Sequence, residues 1–166
     1  ILTANHLVNK YGIDTLEVGG LIAWAMELYE KGILNQKQTD GLKLEWGDEN
    51  VLYELIRKIA LREGFGNTLA DGFRKAMATI GKDSEYYAIE VKGMSNLHSD
   101  ERPTPSFALG IATSTRGADH LRSRPAIDLY SLPEELLQEI YEGPVSSDYT
   151  SYDGKSRMIW WQERLY

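Results

Sequence analysis

Residues 48–61, Asp48-Glu49-Asn50-Val51-Leu52-Tyr53-Glu54-Leu55-Ile56-Arg57-Lys58-Ile59-Ala60-Leu61, decide the fold class. Val51, Leu52, Leu55, Ile56 and Ile59 recur at three- and four-residue spacing, the period of a helix with one apolar face. Asp48 stands where an N-cap is needed, and Gly64 stands where the helix should stop. The same signature repeats outward on both sides. Upstream, a helix over 2–10 breaks at Tyr11-Gly12. Asp14 then caps a second helix, with Glu17 three residues on as in a capping box, and Val18, Leu21, Ile22, Ala25 and Leu28 line its apolar face up to Gly32. Downstream, Asn67 reads as the cap of a fourth helix with Leu69, Phe73, Ala76, Met77 and Ile80 inward, ending at Gly81.

Strand signals are few. Leu42, Leu44 and Trp46 alternate with Lys43 and Glu45, and Tyr87, Ile89 and Val91 alternate in the same way, so these two segments are expected to pair as a short ribbon. Residues 93–106 form a polar loop with Pro103 and Pro105, and a candidate internal boundary lies within 88–106. A helix from about Phe107 is expected to carry the polar knot that follows it. Ser131-Leu132-Pro133-Glu134 has the form of a capping box with Pro in the first turn. The helix behind it halts at Gly143-Pro144, residues 145–154 read as an exposed loop, and an apolar-rich final helix runs to Tyr166. The expected fold is all-α and multihelical, with at most a small two-stranded β ribbon.

The 166 residues carry a net charge of −7, with 42% hydrophobic and 26% charged residues. That balance suits a globular domain and argues against general nucleic-acid binding. No apolar run approaches the roughly 18 residues of a membrane-spanning helix, and no basic run suggests a membrane surface. Cysteine is absent, which excludes disulfides and thiolate-held metal sites within the chain. The chain begins without Met, in Ile1-Leu2-Thr3-Ala4-Asn5-His6-Leu7, which reads as a helix in progress. It stops inside another helical pattern, Met158-Ile159-Trp160-Trp161-Gln162-Glu163-Arg164-Leu165-Tyr166. Both ends lead to the expectation that 1–166 is one excised piece of a longer chain. Such a piece should expose apolar surface and self-associate as a homo-oligomer.

The chemistry-bearing stretch is Ala112-Thr113-Ser114-Thr115-Arg116-Gly117-Ala118-Asp119-His120-Leu121-Arg122. Three small hydroxyl residues, two arginines, an aspartate and a histidine stand together. Gly117 removes a Cβ where backbone can approach a ligand closely. A plain structural reading stays open, with Arg116, Asp119 and Arg122 as a solvated ion-pair row and His120 as a packing histidine.

Three blocks resemble the C-terminal helical part of the aldehyde ferredoxin oxidoreductase family of tungsten or molybdenum pterin enzymes. The first is Ala4-Asn5, then Asn9-Lys10-Tyr11-Gly12-Ile13-Asp14-Thr15, leading into Ile22-Ala23-Trp24-Ala25-Met26-Glu27-Leu28-Tyr29-Glu30-Lys31-Gly32. The second is Ile59-Ala60-Leu61-Arg62-Glu63-Gly64-Phe65-Gly66-Asn67-Thr68-Leu69-Ala70-Asp71-Gly72. The third joins Val91-Lys92-Gly93-Met94 and Ala108-Leu109-Gly110 to the 112–122 stretch. The resemblance implies oxidation of aldehydes to carboxylic acids with ferredoxin as electron acceptor. It also implies a tungsten (or molybdenum) bis-pterin and a [4Fe–4S] cluster in the full-length enzyme, neither of them expected on this piece alone. A pterin domain and a C-x-x-C-x-x-x-C segment are expected upstream, a further pterin motif downstream, and a cytoplasmic location.

By resemblance, 9–14 match the family's pterin signature D-x-x-G-L-D, with Asn9 for Asp and Ile13 for Leu. Asn9, Gly12, Ile13 and Asp14 are therefore the implied cofactor-binding residues. His120 takes the place of the family's active-site histidine in the pattern R-G-A-x-H-L-R, and Arg116 and Gly117 are implied to shape the pocket and face cofactor phosphates. His6 lacks the glutamate that some members carry three residues earlier, Thr3 standing there, and no metal ligand is assigned within the chain. The loop around His98 departs from the family's pattern, reading Asp100-Glu101-Arg102-Pro103-Thr104-Pro105. A competing reading, favoured by the absent cysteines, is a non-catalytic helical interaction domain. The isolated piece is expected to be inactive under either reading.

Overall fold

The computed structural model describes residues 1–122, 124, 125, 130, 132–148 and 150–165. Helices dominate: α1 (Leu2–Tyr11), α2 (Thr15–Glu30), α3 (Glu49–Leu61), α4 (Phe65–Leu69), α5 (Phe73–Ile80), α6 (Pro105–Thr113), α7 (Glu134–Ile140) and α8 (Lys155–Leu165). A 3₁₀ turn (Ser84–Tyr87) precedes a hairpin of β1 (Glu90–Val91) and β2 (Met94–Ser95). The described chain is thus mostly helical with one two-stranded ribbon. It divides into two compact units, Ile1–Asn96 and Leu97–Tyr166.

The first unit is built around α2. Val18, Leu21, Ile22, Trp24, Ala25, Met26 and Leu28 are all buried, more than one face of the helix, because neighbouring elements cover it on several sides. Asp14 caps it, its carboxylate accepting the Glu17 amide at 2.7 Å. Trp24 packs its ring 5.3 Å from that of Phe73 and donates its indole N–H to the Ser84 carbonyl at 3.0 Å. Asp48 caps α3 by accepting the amides of Asn50 and Val51, and Val51, Leu55, Ile56 and Ile59 point inward.

Several local expectations are corrected. The Leu42–Trp46 alternation is real but has no partner strand among the described residues. Leu44 is buried, while Trp46 stands half out of the surface with its indole N–H on Glu30. One-sided packing against helices produces the same period of two as a sheet face. The ribbon forms instead within the second segment, with Glu90 opposite Ser95 and Val91 opposite Met94. Lys92 and Gly93, both at positive φ, make the two-residue turn. Asn67 does not cap a helix. It lies inside α4, and residues 70–72 break the expected single helix into α4 and α5.

The start of α4 is held by a carboxylate from elsewhere. Asp40 accepts the Phe65 amide at 2.6 Å and the Lys58 ammonium at 3.1 Å, so it caps α4 from across the loop. These partners, the Phe65 amide first, hold its carboxyl below the usual carboxylate range. A depressed folded-state value means stability that is present above the unfolded value and lost as pH falls through the folded one. Asp40→Asn keeps the shape and loses the charge. It is expected to destabilise at pH 7 by about 1 kcal/mol or less, given partial solvent screening. Denaturant melts at pH 7 and at pH 3 should show that difference shrinking in acid.

In the second unit α6 packs against α8, and Leu137, Tyr141, Val145 and Met158 form the core of the α7–α8 pair. The 145–154 segment is therefore less exposed than its polar composition suggests, since Val145 is buried. Lys155, fully buried, donates to the Ser146 carbonyl, and Arg157 donates to the carbonyls of Tyr141 and Glu142. Two cations of the first turn of α8 thus hold the connection that precedes it. Trp160 stays half exposed beneath the Arg164 guanidinium. Ser131, proposed as part of a capping box, lies outside the described residues; the N-cap of α7 is Pro133.

Candidate functional site

In the first unit the candidate residues occupy the α1–α2 junction. Gly12 ends α1 in the left-handed conformation (φ 66°, ψ 35°), and its amide donates to the Asn9 carbonyl at 3.2 Å. A Cβ added at Gly12 would meet nothing within 4 Å, so the backbone there faces open space. Asn9 and Asp14 are exposed, whereas Ile13 is half-buried, packs against the core and donates its amide to the Val8 carbonyl. Three of the four predicted residues therefore present groups outward: the Asn9 side chain, the Gly12 backbone and the Asp14 carboxylate. Ile13 anchors the turn instead. The fit to a heteroaromatic ring with N–H and carbonyl edges rests on that open backbone beside an amide and a carboxylate.

In the second unit the helix expected to carry the polar knot stops early. The α6 helix ends at Thr113, whose hydroxyl donates to the Leu109 carbonyl, and Ser114 forms its C-cap. The rest of 114–122 is a chain of tight turns. Ser114 Oγ accepts the Arg116 amide at 3.2 Å. Asp119, buried, accepts the amides of Leu121 and Arg122 at 2.9 and 3.4 Å through Oδ1. Its Oδ2 lies 2.8 Å from the Arg116 guanidinium. Burial pushes the Asp119 carboxyl up, but the two amides and the charges of Arg116 and Arg122 outweigh it and leave it below its ordinary value. The ion-pair row anticipated on a helix face is thus a pair folded inside a turn, with the acid desolvated.

Beside this turn is a polar cavity of about 200 Å³ lined by Thr113, Ser114, Thr115, Arg116, Asp119, Arg122 and Glu163. Arg116 lines it. His120, half-buried, and Gly117, buried with φ 112°, belong to the turn but not to the cavity lining. Glu163 was not anticipated. It sits on the polar side of the final helical pattern, and only the packing of α8 on α6 brings it to the cavity; no local sequence signal marks it. Among the described residues no cluster of three or more His, Asp or Glu side chains has metal-binding geometry. Nor is any helix among them long and apolar enough to cross a membrane.

Each unit thus holds one polar turn that follows a helix, 12–14 after α1 and 114–122 after α6. Residues 1–166 match the family described as aldehyde ferredoxin oxidoreductase, domains 2 and 3, and the chain belongs to that family. It is 36% identical over 143 residues to the tungsten-containing aldehyde ferredoxin oxidoreductase of Pyrococcus furiosus, covering 86% of this chain and 22% of that protein. The corresponding enzyme of Pyrococcus abyssi is 37% identical over 146 residues, covering 86% and 23%. A Pyrococcus furiosus protein named aliphatic sulfonate oxidoreductase, WOR-like subunit, is 32% identical over 165 residues, covering 96% and 26%. The chain therefore spans about a quarter of the length of the curated relatives it matches.

Proposed function

We propose that this chain is one piece of the C-terminal helical region of a tungsten (or molybdenum) pterin enzyme. In that enzyme, a cytoplasmic protein, it covers the cofactor and lines the pocket in which an aldehyde becomes a carboxylic acid, with ferredoxin as acceptor. The observation that carries the reading is the α1–α2 junction. The signature 9–14 is folded with its glycine in the left-handed conformation and open to space, beside an exposed amide and an exposed carboxylate.

When bound, the pterin-held metal and the [4Fe–4S] cluster would supply two-electron redox chemistry and carry the electrons onward. The chain's own residues do the rest. Asn9 and Asp14 hold the pterin's polar edge, and Gly12 lets backbone come near it. Arg116, kept in place by buried Asp119, offers a fixed cation to phosphate oxygens. Gly117 gives that turn its shape. His120 donates a hydrogen bond to the aldehyde oxygen, where negative charge grows, or relays a proton.

The test is cofactor content in the full-length enzyme. Asp14→Ala is expected to lower tungsten per protein at least several-fold while the purified protein stays folded by circular dichroism. Unchanged metal content would overturn the assignment of the turn.

A further inference from the structure

The carboxylate of Glu17 has a use that neither the capping-box pattern nor the pterin signature assigns. In a capping box, the acid at this position reaches back to the amide of the cap residue. Glu17 turns away from Asp14. Its Oε2 accepts the Ser95 amide of β2 at 2.8 Å, across 78 residues of sequence. Its other oxygen, Oε1, lies beside Gly72, and the amide of Phe73, the first residue of α5, favours the charged form of the carboxyl. No side chain of the α5 N-terminus caps that helix, and its N-cap is Gly72, at φ 81°. A Cβ on Gly72 would come 3.3 Å from Glu17 Oε1, which places that oxygen at the start of α5.

One half-buried side chain therefore ties three elements together: the start of α2, the start of α5 and the inner strand of the hairpin. The arrangement is costly for an acid. Burial pushes the carboxyl up, and the charges of Asp14 and Glu90 add to it, although the two amides pull the other way. A carboxylate presents two acceptor oxygens, Oε2 to the Ser95 amide and Oε1 toward the start of α5, whereas an amide side chain offers one.

We propose that Glu17 is a positioning residue for the α1–α2 turn: it anchors the first turn of α2, and with it Asp14 and Gly12, to α5 and the hairpin, so that the turn meets its ligand in one orientation. This rests on the reading of 9–14 as a pterin turn. It adds a residue outside the signature, which acts through Asp14 and touches no ligand.

Amide hydrogen exchange and tungsten content, measured together on the full-length enzyme, test it. In Glu17→Ala, the amides of Ser95 and Phe73 should exchange at least about tenfold faster, residues 12–18 should lose protection with them, and tungsten per protein should fall. Glu17→Gln, which is expected to fold if the alanine variant does not, should restore protection at one of the two amides and leave the other fast. Its tungsten content should be intermediate. Unchanged exchange at both amides in either variant overturns the clamp. Faster exchange at Ser95 and Phe73, with 12–18 still protected and tungsten content normal, overturns the positioning role and leaves a purely structural one. Asp14→Ala, run alongside, separates the two ideas. If it retains full tungsten content while Glu17→Ala loosens 12–18, the pterin reading has failed and the anchoring of the turn stands.

Discussion

His120→Ala in the full-length enzyme is expected to lower kcat about 100- to 1000-fold, the range seen when a donor to a developing oxyanion is removed. Tungsten content and KM should stay within about twofold. The split follows from the proposed role. A hydrogen bond that strengthens as charge moves onto the carbonyl oxygen acts in the transition state, not in cofactor retention or ground-state binding. His120 is half-buried in a turn whose shape is set by its neighbours, Asp119 on the amides of Leu121 and Arg122 and Ser114 on the amide of Arg116. Removing the imidazole should therefore leave the turn standing, and the melting temperature should move little. Asp119→Ala is the useful contrast. It deletes the acceptor for two amides and strands the Arg116 guanidinium, so it should disturb fold and activity together. Steady-state kinetics with metal analysis on both variants checks this. If His120→Ala loses tungsten in proportion to activity, the histidine is structural.

Gly66→Ala is expected to destabilise the chain by about 3 kcal/mol, at the upper end for overpacking a tight contact. Gly66 is buried in α4, and its missing Cβ would sit 2.3 Å from the Lys58 carbonyl carbon and 2.5 Å from the Lys58 oxygen. Backbone cannot step aside as a side-chain tip can, so α3 and α4 would have to separate. Phe65 and Leu69, both buried, pin α4 on either side of that contact. For a unit of roughly 100 residues, such a loss corresponds to a fall in Tm of more than about 10 °C. Gly32→Ala supplies the scale. Gly32 has positive φ but nothing within 4 Å of an added Cβ, so only backbone strain of about 1 kcal/mol is expected. Thermal melts of the two variants should differ clearly; equal losses would show that α3 and α4 can part cheaply.

Much of the helical framework is legible in the residues themselves. The caps at Asp14 and Asp48, the stops at Gly12 and Gly81 and the apolar stripe of α3 all come out as read. So does the small ribbon, although its strands are not the pair first expected. Membership of the family was likewise readable, because its motifs are short stretches read directly along the chain. These features are local: a helix is decided by bonds four residues apart and by side chains that cap the nearest amides. The tertiary structure decided the rest. It left the Leu42–Trp46 alternation without a partner, split the expected fourth helix at 70–72 and ended α6 at Thr113. It sent Glu17 to Ser95 and Asp40 to Phe65, and it brought Glu163 beside Arg116. Each of these depends on which groups come together after helices have packed. A carboxylate in sequence carries no mark of a partner 25 or 78 residues away, because burial and packing select that partner only once the apolar faces have met.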